Sequence, residues 1–273
     1  MSLLVKAARE TATIASVTPA SAGWRYVGFE AVRLAEGDSI ERRFDGEEMC
    51  VVVVSGCVTL QTDGGHAGDA RQWARLFSRH SPFDDIAPYA LYAPPRTTVR
   101  ASAHGAVELA ICTAPARGTL PVRLIEPAHL PSTQRGIDAN TRYVRDILPQ
   151  GEPAERLLVV EVRTPAGHSS SYPPHKHDAD TIPAESALEE TYYHRVDPPQ
   201  GFVVQRVYTD ERDLDETMAV EDRDVVLVPR GYHPVIVPYG YESYYLNVMA
   251  GPTRAWHFRN DPAHEWMLGA PPR

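Results

Sequence analysis

The sequence predicts an all-β chain built as two jelly-roll barrel units. Short runs rich in β-branched and aromatic residues recur along most of its length, Gly, Pro, Asn and Asp separate them, and amphipathic helices are few. With 273 residues there is room for two domains of ordinary size, each burying its own core. A hydrophobic share of 43% and a charged share of 23% suit a globular protein. No apolar run approaches the ~20 residues that span a bilayer. The opening "MSLLVKAARETATIAS" lacks a signal-peptide core, so the expectation is a cytoplasmic protein without a membrane partner.

Residues 1–120 form the first predicted barrel. In it "MCVVVVSGCVTLQTDGG" reads as a strand, a Gly turn and a second strand, and "YALYAPPRTTVRASAHGAVELAICTA" supplies two or three more. The texture then changes to a Pro-rich, turn-rich stretch, taken as a linker over residues 121–150, with "TRYVRDIL" its only helix-like piece. The second barrel is expected over residues 151–273, where strand-like runs resume: "RLLVVEVRTP", "EETYYHRV", "GFVVQRVYT", "TMAVEDRDVVLVPRG", "HPVIVP" and "SYYLNVMAG". "LYAPPRTTVRA" in the first half stands where "VLVPRGYHPVI" stands in the second, which suggests an internal duplication.

Cys50, Cys57 and Cys112 are odd in number, form no CxxC and sit in apolar runs, so they read as free thiols in a reducing compartment. A net charge of −9 with no basic stripe argues against a nucleic-acid partner.

The chemistry concentrates in the second half. In "SSSYPPHKHD", His175 and His177 are two apart, so on an extended chain they project to one side. Farther on come "ESALEETYYHRV" and then "DVVLVPRGYHPV", in which His233 follows a Pro-x-Gly turn that re-aims its side chain. Three histidines and one carboxylate from separate strands suit a metal ion with positions open to water or substrate. An isolated HxH would more often be a polar loop. The ordered set is what makes a metal site the better reading.

The order His-x-His, Glu, Pro-x-Gly-x-His resembles the paired signature motifs of cupins. The blocks "SSYPPHKHD", "LEETYYHR", "QRVYTD", "LDETMAVEDRDVVLVPRGYHPV" and "YYLNVMAGPTRAW" closely resemble the 5-deoxy-glucuronate isomerase family of myo-inositol catabolism, densely over Arg156 to Trp266 and more loosely before it. The resemblance implies two cupin domains in one chain. It implies interconversion of 5-deoxy-glucuronate and 2-deoxy-5-keto-gluconate, with one divalent metal ion held by the second cupin alone. A metal-free first cupin agrees with the lack of any HxH between Glu41 and Pro115, where the lone histidines His66, His80 and His104 read as loop residues.

The metal ligands implied by the resemblance are His175, His177, His233 and a glutamate. Glu185 lies in a Pro-containing insert. Glu189 and Glu190 are neighbours on a strand and face opposite sides. The related uronate isomerases carry their glutamate just before an aromatic strand, which favours Glu190. Two departures from the family pattern touch no proposed ligand: Gly167-His168-Ser169 where a Gly-Asn-Trp is usual, and Arg223 where the usual residue is Gly. The first bears on substrate contacts.

Aldose–ketose isomerisation needs a base, an acid and stabilisation of an enediolate, the last supplied by a divalent cation as Lewis acid. The base stays open between Tyr192, which shares the Glu190 face, a metal-bound water, and His194, which lies ~13 Å along the strand. Tyr192 is the catalytic candidate, with inward aromatic packing its alternative. For the substrate carboxylate, Arg206 and Arg230 are the candidate forks, with surface ion pairs as the competing role; of Gln205 and Arg206 only one faces inward. Zn or Mn is the expected metal, with Fe, Co and Ni compatible. The partner is a small sugar acid, and a homo-oligomer is compatible with the sequence. Two rivals are a non-catalytic sugar-acid-binding bicupin, which has no need of four ligands, and a cupin dioxygenase, which would consume oxygen.

Overall fold

The computed structural model describes residues 2–63, 68 and 70–268. Its strands fall into two sandwiches. In the first, a six-stranded antiparallel sheet runs Arg123–Ile125, Ala90–Ala93, Glu47–Ser55, Val107–Pro115, Gly28–Leu34, Thr13–Val17, and a four-stranded sheet runs Ser39–Arg42, Val99–Ala103, Cys57–Thr62, Arg71–Phe77. In the second, a seven-stranded sheet runs Leu4–Val5, Val225–Val228, Glu189–Asp197, Glu242–Ala250, Leu158–Thr164, Arg142–Leu148, Thr133–Arg135. It is backed by Ser169–Ser170, Val235–Ile236, Phe202–Tyr208 and Asp215–Glu221.

The two large sheets repeat one strand order, which gives the suspected duplication a structural basis. Met49 pairs with Ala93 on one side and Thr113 on the other, and Thr113 pairs with Gly28. Glu190 pairs in the same way with Val228 and Met249, and Met249 pairs with Leu158. Met49 and Glu190 are therefore equivalent positions, as are Val51 and Tyr192 or Ile111 and Asn247.

The stretch 121–150, expected as a linker, is built into both sheets. Arg123–Ile125 extends the first, whereas Thr133–Arg135 and Arg142–Leu148 extend the second. "TRYVRDIL", expected to be helix-like, is a strand: Val144, Ile147 and Leu148 are buried, and its backbone pairs with Leu158–Thr164. Tertiary pairing decides such a short apolar run. The chain start also crosses over, Leu4 and Val5 pairing with Val226 and Val225 of the second sheet.

The outer faces of the large sheets pack together. Phe29 meets Tyr193 with ring centroids 5.4 Å apart. Buried Arg79 donates to both carboxylate oxygens of Glu161 at 3.0 and 2.7 Å, the bidentate geometry that best offsets the cost of burying two charges. Two carboxylates clasp the opposite barrel. Glu48 accepts the backbone N–H groups of Glu155, Arg156 and Leu157 at 2.8, 2.6 and 2.8 Å. Glu189 accepts those of Arg25, Tyr26 and Val27 at 2.7, 2.7 and 3.1 Å. Glu48 and Glu189 are equivalent by register, and each holds the segment entering an equivalent strand, at Leu158 and Gly28. Cys50, Cys57 and Cys112 are free, as expected from their context. Among the described residues no helix is long and apolar enough to cross a membrane.

Candidate metal centre

His175 stands on the two-residue strand His175–Lys176, which pairs with Arg259–Asn260, and His177 follows it. His233 comes from the turn after Val225–Val228. That turn is fixed by Gly231, at φ +88°, where a Cβ would collide with the Tyr208 carbonyl. Its backbone is bolted down by Tyr208 and Tyr232, which exchange N–H···O bonds of 2.9 and 2.7 Å. Asp178, next to the histidine pair, accepts the Gly231 N–H at 2.8 Å and so ties the two halves of the motif together.

One ligand atom from each of His175, His177 and His233 lies within 4.8 Å of the others. Glu190 Oε2 is 3.0 Å from His177 Nε2 and 3.3 Å from His233 Nε2. Two ligands at ~2.1 Å from one ion in adjacent positions would be ~3 Å apart, so this spacing suits a shared cation. The outer ring nitrogens are held by the backbone: His177 Nδ1 lies 3.3 Å from the Leu188 carbonyl and His233 Nδ1 lies 2.9 Å from that of Gly231. Donation there would turn both Nε2 lone pairs toward a metal ion, once such an ion replaces the proton that His177 Nε2 shares with Glu190 at 3.0 Å. Among the described residues His233 Nε2 is buried with no hydrogen-bond partner. An orphaned acceptor beside a carboxylate and two more imidazoles fits a metal ion, and the donor set can hold one.

Burial pushes His175 and His233 down to about 3, so both are neutral and ligand-ready at pH 7. Burial also disfavours charge on His177, but its hydrogen bond and attraction to Glu190 outweigh that and leave it raised.

The three competing glutamates separate cleanly. Glu190 points at the histidines, with its Oε1 accepting from Asn247 Nδ2 at 2.6 Å. Glu189 faces away and clasps residues 25–27. Glu185 accepts the N–H groups of Asp178 and Ala179 at 2.8 and 3.1 Å, bracing the loop after the histidine pair.

Tyr192 is buried on the Glu190 side, its ring 5.7 Å from that of His233 and its hydroxyl 3.0 Å from Ser171 Oγ. Burial, with the charge of Glu190 beside it, raises the phenol well above its ordinary range. His194 is buried farther along, 2.8 Å from Gln205 Oε1.

The two expected arginine forks are not brought to this site. Gln205 faces inward and is fully buried, so strand alternation turns Arg206 outward, where it pairs with Asp215 at 2.6 and 2.7 Å. Arg230, at the tip of the turn, is exposed and pairs with Asp213 at 2.8 Å. The residues that do share a cavity with His175, Glu190 and Tyr192 include Ser171, Tyr245, Asn247, Arg142 and Arg135. Arg142 comes from the strand expected to be a helix, which hid it from sequence reading. His168 turns aside, its Nδ1 3.1 Å from the Thr141 carbonyl.

In the first barrel, His104 Nε2 lies 2.7 Å from Thr59 Oγ1, and the His80 ring packs edge-on against Phe77. His66 lies outside the described residues.

Fold and site together define a bicupin with a three-histidine, one-carboxylate cluster in its second barrel. The chain belongs to the KduI/IolB family, whose profile matches residues 3–267. A 5-deoxy-glucuronate isomerase of Geobacillus kaustophilus is 49% identical over 259 residues, covering 95% of this chain and 92% of that one. The enzyme of that name from Bacillus subtilis strain 168 is 47% identical over 253 residues, covering 92% and 91%. The crystal structure of an IolB-like protein from Salmonella typhimurium superposes with a TM-score of 0.94 at 47% identity, covering 98% and 100%. An oxalate decarboxylase of Lactobacillus farciminis shares the fold at a TM-score of 0.66 and 12% identity, covering 99% and 91%.

Proposed function

We propose that this chain is a metal-dependent 5-deoxy-glucuronate isomerase, an aldose–ketose isomerase acting on a small sugar acid. The observation that carries the reading is the cluster of half-buried His175 with buried His177, His233 and Glu190, found in a chain about half identical to enzymes of that name. A divalent ion held there, Zn or Mn in first place, would act as a Lewis acid on substrate oxygens. Glu190 would hold its ligating oxygen steady because Asn247 occupies its other oxygen. Tyr192 would present a neutral hydroxyl to the reacting oxygens, oriented by Ser171. Burial of Glu190, Tyr192 and His233 strengthens each of these polar contacts. The first barrel would be structural and metal-free.

The test is direct: the metal-loaded protein is incubated with 5-deoxy-glucuronate, and ketose formation and oxygen uptake are followed together. Ketose without oxygen consumption is expected, lost in His233→Ala. Oxygen uptake would favour the dioxygenase alternative. Binding of the sugar acid without turnover would favour a binding protein.

A further inference from the structure

The isomerase reading requires a cation for the substrate carboxylate, and both arginines expected for that task are engaged on the surface. Arg142 is placed differently. It is half-buried, and with Val144 it lines the cavity that also holds His175, Glu190, Tyr192 and Tyr245. Its Nη1 donates to the backbone oxygen and to Oδ1 of Asn140, at 3.1 and 3.2 Å. Among the described residues no carboxylate lies within ion-pair distance of it, whereas Arg135 beside it has Asp146 Oδ2 at 3.6 Å and the Trp256 ring at 5.8 Å. A guanidinium desolvated without a counter-charge is costly unless a ligand supplies one. Burial accordingly lowers its proton affinity from the ordinary value, and the positive field of Arg142 is felt at His175.

The backbone makes room for this side chain. Gly136 adopts φ +75°, and a Cβ there would collide with the Asn140 carbonyl and come within 2.7 Å of Arg142 Nη1. Asn140 in turn donates from Nδ2 to the Tyr172 carbonyl at 2.9 Å, tying the Arg142 support to the segment that leads into the histidine pair. The guanidinium is thus held at Nη1, and among the described residues its Nε and Nη2 have no hydrogen-bond partner, while the side chain lines the cavity.

We propose that Arg142 is the residue that binds the substrate carboxylate and selects a sugar acid over a neutral sugar. This deepens the isomerase reading and rests on it for the identity of the substrate. The planar fork suits a carboxylate in bidentate contact. It would anchor the acid end of the chain while the aldehyde end lies at the histidine cluster.

The experiment compares wild type, Arg142→Gln and Arg142→Lys, all metal-loaded, with metal content and thermal melting as controls for folding. Turnover is measured on 5-deoxy-glucuronate and on 5-deoxy-glucose, in which a hydroxymethyl replaces the carboxylate, and binding of D-glucuronate is measured by calorimetry. Arg142→Gln is expected to keep its metal, to lose ~10- to 100-fold in kcat/KM on the acid and in D-glucuronate affinity, and to change little on the neutral sugar. Arg142→Lys should recover part of the loss by restoring charge without the fork. An unchanged preference for the acid in metal-replete Arg142→Gln would overturn the proposal while leaving the isomerase reading intact. Conversely, a wild type that binds D-glucuronate through Arg142 yet makes no ketose would uphold the carboxylate site and sink the isomerase.

Discussion

The two barrels share a strand order, a register and a reciprocal carboxylate clasp, yet their interiors are opposites. In the first, the positions equivalent to Glu190, Tyr192 and His194 are Met49, Val51 and Val53, and those equivalent to Asn247 and Tyr245 are Ile111 and Leu109. All five are buried in one apolar cluster. In the second, the same inward face carries a carboxylate, a phenol, an imidazole, an amide and a second phenol. The backbone therefore does not decide which barrel holds a polar site. Alternate side chains on two strands do, and most of the polar groups buried there satisfy one another or face the histidine cluster, although among the described residues His194 Nδ1 has no partner.

The largest effect is expected from moving one polar group of the second interior into the first. Met49→Glu would bury a carboxylate among the apolar side chains that surround Met49, with no histidine or asparagine to meet it among the described residues, and is expected to destabilise the fold by ~3–5 kcal/mol in denaturant titrations, without creating a metal site. If the variant were as stable as wild type, the first interior would have to be wetter or looser than its packing indicates.

The shared feature is tested by the clasps. Glu48→Ala and Glu189→Ala each leave three backbone N–H groups without their acceptor. Each is expected to lose ~1–3 kcal/mol in melting experiments while keeping full metal content. Two similar losses would mark both clasps as joints between barrels; a loss of metal in Glu189→Ala would instead tie that residue to the site. Least is expected from the outward-facing arginines. Arg206→Ala and Arg230→Ala remove exposed ion pairs, cost under ~1 kcal/mol in the same melts and leave turnover of the sugar acid unchanged.

Much of the site was legible because its signals are local. His175 and His177 share a side through a spacing of two, and the Pro229-Arg230-Gly231 turn announces where His233 is aimed. Which glutamate faces the cluster is a matter of register, and the residues alone left Glu189 and Glu190 open until the resemblance of the aromatic run was added. The rest was hidden by long-range pairing. "TRYVRDIL" carries no period that separates strand from helix, and only its partner Leu158–Thr164 makes it a strand that delivers Arg142 to the cavity. Likewise, nothing local says that Leu4 and Val5 close the second sheet rather than the first. The outward turn of Arg206 follows from alternation once Gln205 is inside, a choice that composition could not make.

One metal ion per chain is expected in the second barrel, with Glu190 and not Glu189 as its carboxylate ligand. Elemental analysis of wild type, Glu189→Ala and Glu190→Ala, purified in parallel without added metal, tests it most directly. About one equivalent of metal is expected in wild type and Glu189→Ala, and a loss of affinity beyond ~100-fold in Glu190→Ala, since removal of a direct ligand should exceed the effect of losing a residue that merely supports one. Full metal content in Glu190→Ala, or two equivalents in wild type, would contradict it.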